Sequence, residues 1–248
     1  MMRFIKNSNL PKGKVKSIIC GELCEELNSY FDSLGIERFV IDANNFVDSA
    51  VKFHTDMFAF HMGDSNVILE RNQRKLGRVL INKGANVHFT DKDIKGEYPS
   101  DIALNFALVS NYLIGKVPFA DKKLLELSDS CDKISVNQGY CKCSCLVVSE
   151  NAVITDDKSI FDALSVYSLE CLMISKGDVN LPGHDYGFIG GASGKISETE
   201  VLFFGDVTKH RDYKKMADFI EKHGCKIVSL DFPLTDFGGI IPLTEVAE

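Results

Sequence analysis

One pattern of predicted elements recurs along this chain: a strand, a second strand, a helix and a third strand. The clearest copy runs from Gly139 to Lys176, where GYCKCSCLVVS and AVITDD predict two strands joined by a turn at Glu150 and Asn151. The helix KSIFDALSVYS and the strand LECLMIS complete this copy. Because one such unit cannot bury its apolar face alone, repeated units are expected to pack against one another.

Three more copies have the same order, and a fifth is split between the two ends of the chain. The copy after Gly187 reads YGFIGGASGKI, EVLFFGDV, DYKKMADFIEKHG and CKIVSL. The copy from His54 reads FHTDMFAFHM, VILE, NQRKLGRVLINKG and ANVHFT, and the next reads DIALNFALVS, NYLIGKV, ADKKLLELSDS and KISVN. The split copy joins DFGGIIPLTE, near the C-terminus, to GELCEELNSYFDSLG and IERFVID, near the N-terminus.

The spacing of these copies predicts one α/β domain over residues 1–248. Unit starts at His54, Pro99, Gly139, Gly187 and Phe237 are 45, 40, 48 and 50 residues apart. The predicted units cover about 52–97, 98–138, 139–184, 185–234, and 235–248 together with 1–51. A single sheet with loosely alternating strands and helices is the alternative interpretation.

Composition indicates a globular protein and argues against two classes of partner. Of the 248 residues, 45% are hydrophobic and 25% are charged, which is ordinary for a packed domain. The net charge of -7 and the lack of a long basic run argue against nucleic-acid binding. No apolar stretch approaches the roughly 20 residues that span a bilayer, and MMRFIKNSNLPKGK lacks the apolar segment of a signal peptide. We therefore expect a cytoplasmic protein, no membrane partner, and reduced thiols at its eight cysteines.

Two sets of side chains could carry chemistry. Cys141, Cys143 and Cys145 alternate along a predicted strand, so they should share one face. A flat strand spreads the sulfurs along a line, so we expect no metal site there, whereas one thiol with a neighbouring base could be a nucleophile. His54 and Asp56 are also two residues apart on a predicted strand and should point into one space. A structural role for this histidine is the competing interpretation.

Two further polar pairs are interpreted as parts of turns and caps. His184 and Asp185 lie on the loop that enters a unit, where a turn role is favoured over a role in a pocket. Asp206 precedes a predicted helix and is expected to cap it, with His210 on the surface; the alternative is that both residues rim the pocket.

The order FHTDMFAF, YPSDIALNFALVSNYLIGKV and NQGYCKCSC resembles the pentein, or guanidino-group modifying, superfamily, with a layout similar to dimethylarginine dimethylaminohydrolase. This resemblance implies a five-fold pseudosymmetric β/α-propeller of ββαβ units. It further implies that His54 is the general acid/base and that Cys143, four residues after Gly139, is the nucleophile. Asp56 corresponds to a carboxylate that holds the guanidinium. GFIGGASG and DFGGIIPLTE are similar, more narrowly, to an uncharacterised bacterial family assigned to this fold.

The resemblance also implies a set of substrate-binding positions and shows clear departures from the superfamily pattern. The implied positions are Asp101, Asn105, Gly190, Gly191 and Asp236. Relatives carry an acidic pair where this chain has the two glycines, and 237–239 read Phe-Gly-Gly near the usual glutamate. Two units follow the cysteine unit, which ends the chain in characterised members, so we predict a circular permutation.

The resulting hypothesis is a thiol-dependent hydrolase or transferase that acts at an amidine- or guanidine-like carbon. Such an enzyme would take a small, cationic substrate and need no cofactor. The alternative is a non-catalytic binding protein that has lost the guanidinium-binding carboxylates, similar to the ribosome anti-association factors of this fold. A register shift by two residues would put Cys141 or Cys145 in place of Cys143.

Overall fold

The computed structural model describes residues 2–246, so residues 1, 247 and 248 of the split unit lie outside the described residues. In chain order the strands are β1 (Met2–Phe4), β2 (Val15–Cys20), β3 (Glu37–Val40), β4 (Ala59–Gly63), β5 (Asn66–Leu69), β6 (Asn86–Phe89), β7 (Ala107–Val109), β8 (Tyr112–Gly115), β9 (Asp132–Ser135), β10 (Cys145–Ser149), β11 (Ala152–Thr155), β12 (Glu170–Met173), β13 (Ser193–Ser197), β14 (Glu200–Phe203), β15 (Lys226–Val228) and β16 (Ile240–Val246). The α-helices are α1 (Glu25–Ser33), α2 (Thr55–Phe58), α3 (Arg74–Asn82), α4 (Lys122–Leu127), α5 (Lys158–Leu164) and α6 (Tyr213–Lys222). Short 3-10 helices cover Val117–Phe119 and Val207–Lys209.

Four three-stranded sheets repeat one topology. In the first, β4 and β5 form an antiparallel hairpin with Ala59 opposite Leu69, and β5 and β6 run parallel with Leu69 opposite Phe89. Helix α3 makes the crossover that a parallel pair requires. The sheets β7-β8-β9, β10-β11-β12 and β13-β14-β15 have the same order.

The fifth sheet joins the two ends of the chain. Its order is β1-β16-β2-β3, in which β16 runs antiparallel to β2 and β2 runs parallel to β3. Ile240 lies opposite Cys20. The C-terminal strand is therefore the first strand of a unit whose other elements come from the N-terminal part of the chain.

The first strands of the units lie side by side around a common centre. Strand β16 contacts both β4 and β13, and β10 contacts both β13 and β7. The first two units share one apolar cluster, which includes Phe58 and Phe106. This arrangement is the α/β five-fold propeller of ββαβ units that the sequence predicts. No helix within residues 2–246 is long and apolar enough to cross a membrane.

The predicted first strands are too long at their N-terminal ends. In place of an extended His54–Asp56, the chain forms the short helix α2 directly before β4. A turn likewise precedes β10, where the amide of Ser144 donates to the carbonyl of Tyr140 over 3.0 Å. The apolar pattern continues through these segments because they are buried on all sides at the centre, where burial does not require an extended chain.

Candidate active site

Segments from five units meet at the centre of the propeller, and each lies just before the first strand of its unit. This position follows from the ring, because the chain passes through the centre once per unit before it starts the next hairpin. The segments that contribute to the site are His54–Asp56, Asp101–Asn105, Tyr140–Cys143, Phe188–Gly191 and Asp236–Gly239.

His54, Asp56 and Cys143 come together in this centre. One donor atom from each of the three side chains lies within 4.8 Å of the other two. All three residues are buried, with 2–4% of their surface exposed. His54 and Asp56 lie close together, as predicted, but strand alternation is not the reason. The helical turn α2 begins between them, and His54 is its N-cap.

Cys143 is held by the neighbouring unit through Asn105. The Asn105 side chain donates from Nδ2 to Cys143 Sγ over 3.0 Å, and its Oδ1 accepts from the amides of Lys142 at 2.7 Å and Cys143 at 3.3 Å. Asn105 is fully buried and is absent from the wall of the cavity described below. Its contacts are therefore with the turn that carries the thiol.

The Cys143 thiol is strongly biased towards its protonated form. Burial raises its pKa well above the ordinary cysteine value, and the negative charges of Asp56 and Asp236 raise it further. The hydrogen bond from Asn105 acts in the opposite direction. Without a cationic ligand, little thiolate is expected at neutral pH.

Cys141 and Cys145 do not share a face with Cys143. The three residues span the turn before β10, and the strand itself begins only at Cys145. The Sγ atoms of Cys141 and Cys145 lie 4.0 Å apart in an apolar cluster that does not contain Cys143. The expectation of one strand face is wrong because the chain turns at these residues. All eight cysteines are free.

Neither oxygen of the buried Asp56 carboxylate accepts a hydrogen bond of good geometry, and its nearest possible donor is the Cys143 thiol, which helps to lower the Asp56 pKa. Burial raises its pKa to about 6, and the charge of Asp236 adds to this, while His54 and Lys142 oppose it. An unpaired buried carboxylate is costly, so such a group is usually supported by a cation or a proton. Asp56 therefore adds negative charge beside Cys143 and His54.

Asp236 lies beside the histidine. Its Oδ1 is 3.7 Å from His54 Nδ1 and accepts from the amide of Gly238 at 2.9 Å. Its Oδ2 accepts from the amide of Phe188 at 2.9 Å. The carboxylate thus joins two of the central segments and supplies a second negative charge at the site.

The glycines at the centre permit close packing of the backbone. A Cβ at Gly190 would lie 2.4 Å from the carbonyl oxygens of Lys142 and Cys145. A Cβ at Gly191 would lie 1.9 Å from Asp236 Oδ1. A substrate-binding role is predicted for both glycines, but neither of them lines the cavity described below. Sequence reasoning gave no role to Gly238, which has a φ of +78° and packs directly against His54.

Asp101 is also set back from the cavity. Its Oδ2 accepts from the Tyr140 hydroxyl at 2.7 Å, and its Oδ1 has no partner. Burial raises the pKa of Asp101. The ring of Tyr140 itself borders the cavity, so Asp101 interacts with the site only indirectly, through its hydrogen bond with Tyr140.

A cavity of about 300 Å³ is lined by two of the three central side chains, His54 and Cys143, whereas Asp56 is not part of its wall. Aromatic side chains that the sequence did not single out form much of its wall: Tyr140, Tyr186 and Phe188. His184 and Asp185 also line it, and His184 Nε2 lies 3.4 Å from Asp48 Oδ2, so this loop does more than turn the chain. A signal was available in LPGHDYGF, where polar and aromatic residues cluster on one loop.

The central trio also has the donor types of a metal site. One nitrogen, one oxygen and one sulfur ligand within 4.8 Å of one another match the kinds of atom that zinc takes. The expectation of no metal site was based on the three cysteines alone. Cys141 and Cys145 do not belong to the group of possible ligands that the structure brings together.

Comparison with protein families identifies the chain at the level of its family. The model for a family of unknown function, DUF6873, matches residues 18–241. The chain belongs to this DUF6873 family. A search of curated proteins finds no match.

Solved structures share the fold of this DUF6873 protein. SxtG, an amidinotransferase of the saxitoxin biosynthetic pathway from Microseira wollei, is 12% identical, with a TM-score of 0.59 and coverage of 96% of both chains. Inosamine-phosphate amidinotransferase StrB1 from Streptomyces griseus is 11% identical, with a TM-score of 0.62 and coverage of 99% of this chain and 98% of its own. The agmatine deiminase of C. jejuni is 12% identical, with a TM-score of 0.56 and coverage of 93% and 90%. These are pentein-fold proteins, so the resemblance in fold is confirmed.

Proposed function

We propose that this protein is a cysteine-dependent enzyme that acts at the carbon of an amidine- or guanidine-like group. The observation that supports this most is the buried trio of Cys143, His54 and Asp56, of which Cys143 and His54 line a cavity. A thiol, an imidazole and a carboxylate within 4.8 Å are the groups that nucleophilic attack and proton transfer require. The names of the fold relatives, amidinotransferase and agmatine deiminase, agree with this chemistry.

The charges at the site suit a planar cation. Asp56 and Asp236 are two buried carboxylates close to His54, and Asp236 also lines the cavity. A guanidinium or amidinium presents several N–H donors, so it would pair with carboxylates through strong charge-assisted hydrogen bonds. This chain has glycines at 190–191, where relatives carry an acidic pair, but Asp56 and Asp236 still give the site two carboxylates.

A bound cation would also ionise the thiol. The carboxylates that raise the Cys143 pKa would be neutralised by the ligand, and the ligand's positive charge would stabilise the thiolate. The free protein would then keep an unreactive thiol, and the nucleophile would form when a cationic substrate enters.

The proposed reaction proceeds in two steps. The Cys143 thiolate forms a C–S bond with the planar carbon, and protonated His54 gives its proton to the nitrogen that leaves as the C–N bond breaks. Neutral His54 then takes a proton from water, whose oxygen attacks the same carbon, and the C–S bond breaks to return the thiolate. In a transferase an amine replaces the water in the second step.

The second candidate is a non-catalytic binding protein of the same fold. The observations that favour it are the raised pKa of the Cys143 thiol and the glycines at 190–191. A cavity with buried carboxylates would still bind a cation in such a protein, but no covalent intermediate would form.

Alkylation with two matched reagents tests the proposal. Chloroacetamidine carries an amidinium next to its reactive carbon, whereas iodoacetamide is neutral, and peptide mass spectrometry reports which cysteine reacts. We expect chloroacetamidine to modify Cys143 at least tenfold faster than Cys131, a half-buried cysteine outside the site. Iodoacetamide should show no such preference.

Variants of the trio complete the test. His54→Ala and Asp56→Asn should each reduce the chloroacetamidine rate at Cys143, and Asp129→Asn, on an exposed loop, should not. Equal rates with both reagents at all the cysteines would contradict the proposal. The protein is also incubated with a guanidine and quenched with acid. A Cys143 peptide whose mass is increased by that of an amidino group would rule out the non-catalytic alternative.

A further inference from the structure

We propose that the site selects substrates whose far end carries an ammonium group and rejects those whose far end carries a carboxylate. This inference rests on the proposed function, because it assumes that the guanidinium or amidinium end lies at Cys143. It concerns a different part of the cavity, namely the mouth formed by Asp48, His184 and Asp185.

The mouth of the cavity is acidic. Asp48 and Asp185 line it, and Asp236 lies deeper in the same wall. Among residues 2–246, no lysine or arginine lines this cavity. A substrate carboxylate would thus meet carboxylates without a cation to pair with, and like charges at close range repel.

The cations near the mouth are already paired. His184 lies 3.4 Å from Asp48, so even a charged imidazole would be offset by that carboxylate. Lys176 Nζ is 6.0 Å from the centre of the Tyr186 ring, but it lies 3.8 Å from the carboxylate of Asp157 and outside the cavity wall. Asp185 is exposed and makes no ion pair among the described residues, so its charge is available to a ligand.

The wall between the thiol and the mouth is apolar and aromatic. Tyr186 and Phe188 meet edge to face with ring centres 6.2 Å apart, and Tyr140 lies 6.3 Å from Phe188. Val51 and Leu181 add aliphatic surface. Such a wall suits a short methylene chain, and aromatic faces also attract an ammonium.

The acidic character continues beyond the mouth. Asp185 also borders a second cavity, of about 670 Å³, whose wall includes Asp178, Asp206 and Asp231 together with Lys209. Asp178 is paired with Arg211 and Asp206 lies 3.9 Å from Lys209, whereas Asp231 forms no ion pair among the residues described. An approaching dication would meet negative potential before it reaches the cavity, which favours its entry.

The size of the cavity limits the length of the substrate. About 300 Å³ corresponds to roughly ten water molecules at their share of liquid volume. This space suits a small aminoalkyl guanidine, and both Cys143 and Asp185 line it.

Calorimetric titration with a matched pair of ligands tests the inference. Agmatine and arginine have the same guanidinium and methylene chain and differ by a carboxylate at the far end. The full chain with Cys143→Ser, which blocks the covalent step, is titrated at pH 8 in low salt with agmatine, arginine and methylguanidine. We expect agmatine to bind at least tenfold more tightly than arginine, and this ratio to fall as salt is added.

Variants at the mouth locate the source of the preference. Asp185→Asn should reduce the agmatine-to-arginine ratio severalfold, and Asp185→Lys should bring it to one or below. Asp129→Asn, which changes an exposed aspartate away from the cavity wall, should leave the ratio unchanged. Because Asp185 lies on an exposed loop, these variants are expected to fold, and circular dichroism checks that they do.

The possible outcomes separate this inference from the function on which it rests. Tighter binding of arginine than of agmatine, or a ratio that Asp185→Lys does not change, would overturn the inference and leave the proposed function intact. Binding of methylguanidine without binding of agmatine would do the same. Absence of binding by all three ligands would overturn both.

Discussion

The Asn105 side chain donates a hydrogen bond to Cys143 Sγ over 3.0 Å and accepts one from the amide of Lys142 at 2.7 Å. The second unit of the propeller thus fixes both the thiol of the third unit and the turn that carries it. The hydrogen bond to sulfur is also the one contact that lowers the Cys143 pKa against burial and two carboxylates. The residue acts on the site through position, since it does not reach the cavity wall.

Replacement of Asn105 with alanine tests this positioning role. The change leaves the buried amides of Lys142 and Cys143 without an acceptor, so we expect the free energy of unfolding to fall by about 1–3 kcal/mol. The loss of the hydrogen bond to sulfur should also raise the pH at which Cys143 becomes reactive towards iodoacetamide. Urea unfolding and alkylation mapped by mass spectrometry measure the two effects. Asn86→Ala, at an exposed side-chain pair, is the control. A stability loss without a change in the alkylation profile would restrict Asn105 to a structural role.

The pH dependence of Cys143 alkylation is expected to reflect its two carboxylate neighbours. Because the pKa of this thiol is raised, its iodoacetamide rate in the free protein should be low at pH 7 and should still be rising above pH 9. Asp56→Asn removes one negative charge and should move the profile to lower pH. Rates for Cys143 and Cys131 in the same sample provide the measurement and its internal reference. A Cys143 profile already at its plateau at pH 7 would contradict the assigned environment.

Asp56 should make the stability of the protein depend on pH. Its pKa is about 6 in the folded protein, against 3.8 for an ordinary aspartate, so the folded state binds the proton more tightly. The stability that this proton contributes is complete below about pH 3.8 and is lost as pH rises through about 6. The asparagine side chain in Asp56→Asn resembles the protonated aspartic acid, so the variant does not lose this stability as pH rises. Relative to the wild type, the variant should therefore gain up to about 3 kcal/mol between pH 4 and pH 8, at about 1.4 kcal/mol per pKa unit.

Urea unfolding at both pH values measures this difference, and contributions from titrating groups away from the central site cancel between the two proteins. A difference that stays constant between pH 4 and pH 8 would show that the Asp56 pKa is not raised.

Gly191 should not tolerate a side chain. A Cβ there would lie 1.9 Å from Asp236 Oδ1, so Gly191→Ala must displace the carboxylate or the backbone. We expect a loss of several kcal/mol in the free energy of unfolding, as for other overpacked cores. Gly96→Ala is the control, because its Cβ would meet no atom within 4 Å and only its positive φ of 82° opposes the change. Thermal unfolding compares the two variants, and equal losses would rule out the clash with Asp236 as the cause.

The repeated pattern of strands and helices was sufficient to predict the architecture. Each hairpin has turn residues between two short apolar runs, and three of the crossover helices end near a glycine, at Gly35, Gly84 and Gly224. These signals are local, so they are readable without knowledge of distant contacts. The same locality allowed the split unit to be inferred, and β16 pairs with β2 as that inference requires.

The site residues were identified by type and order, but their contacts were not predictable. Strand alternation assigned His54 to the same face as Asp56 and Cys143 to the same face as Cys141, whereas turns before β4 and β10 determine where these side chains point. The roles proposed for them, the unit boundaries and the circular permutation stay predictions. Asn105 contacts the Cys143 turn and Gly191 lies against Asp236, and the substrate-binding role expected of both stays a prediction.

By itself the sequence determined the number of units and their order, because these depend on local periodicity and on spacing along the chain, and the resemblance to the pentein superfamily implied which segments meet at the centre. Only the tertiary structure decided which atoms face one another there. His54, Asn105, Cys143, Gly191 and Asp236 come from five different units. Their distances depend on how the ring closes and how tightly glycine backbones pack at its centre, and no local pattern in the sequence encodes that closure.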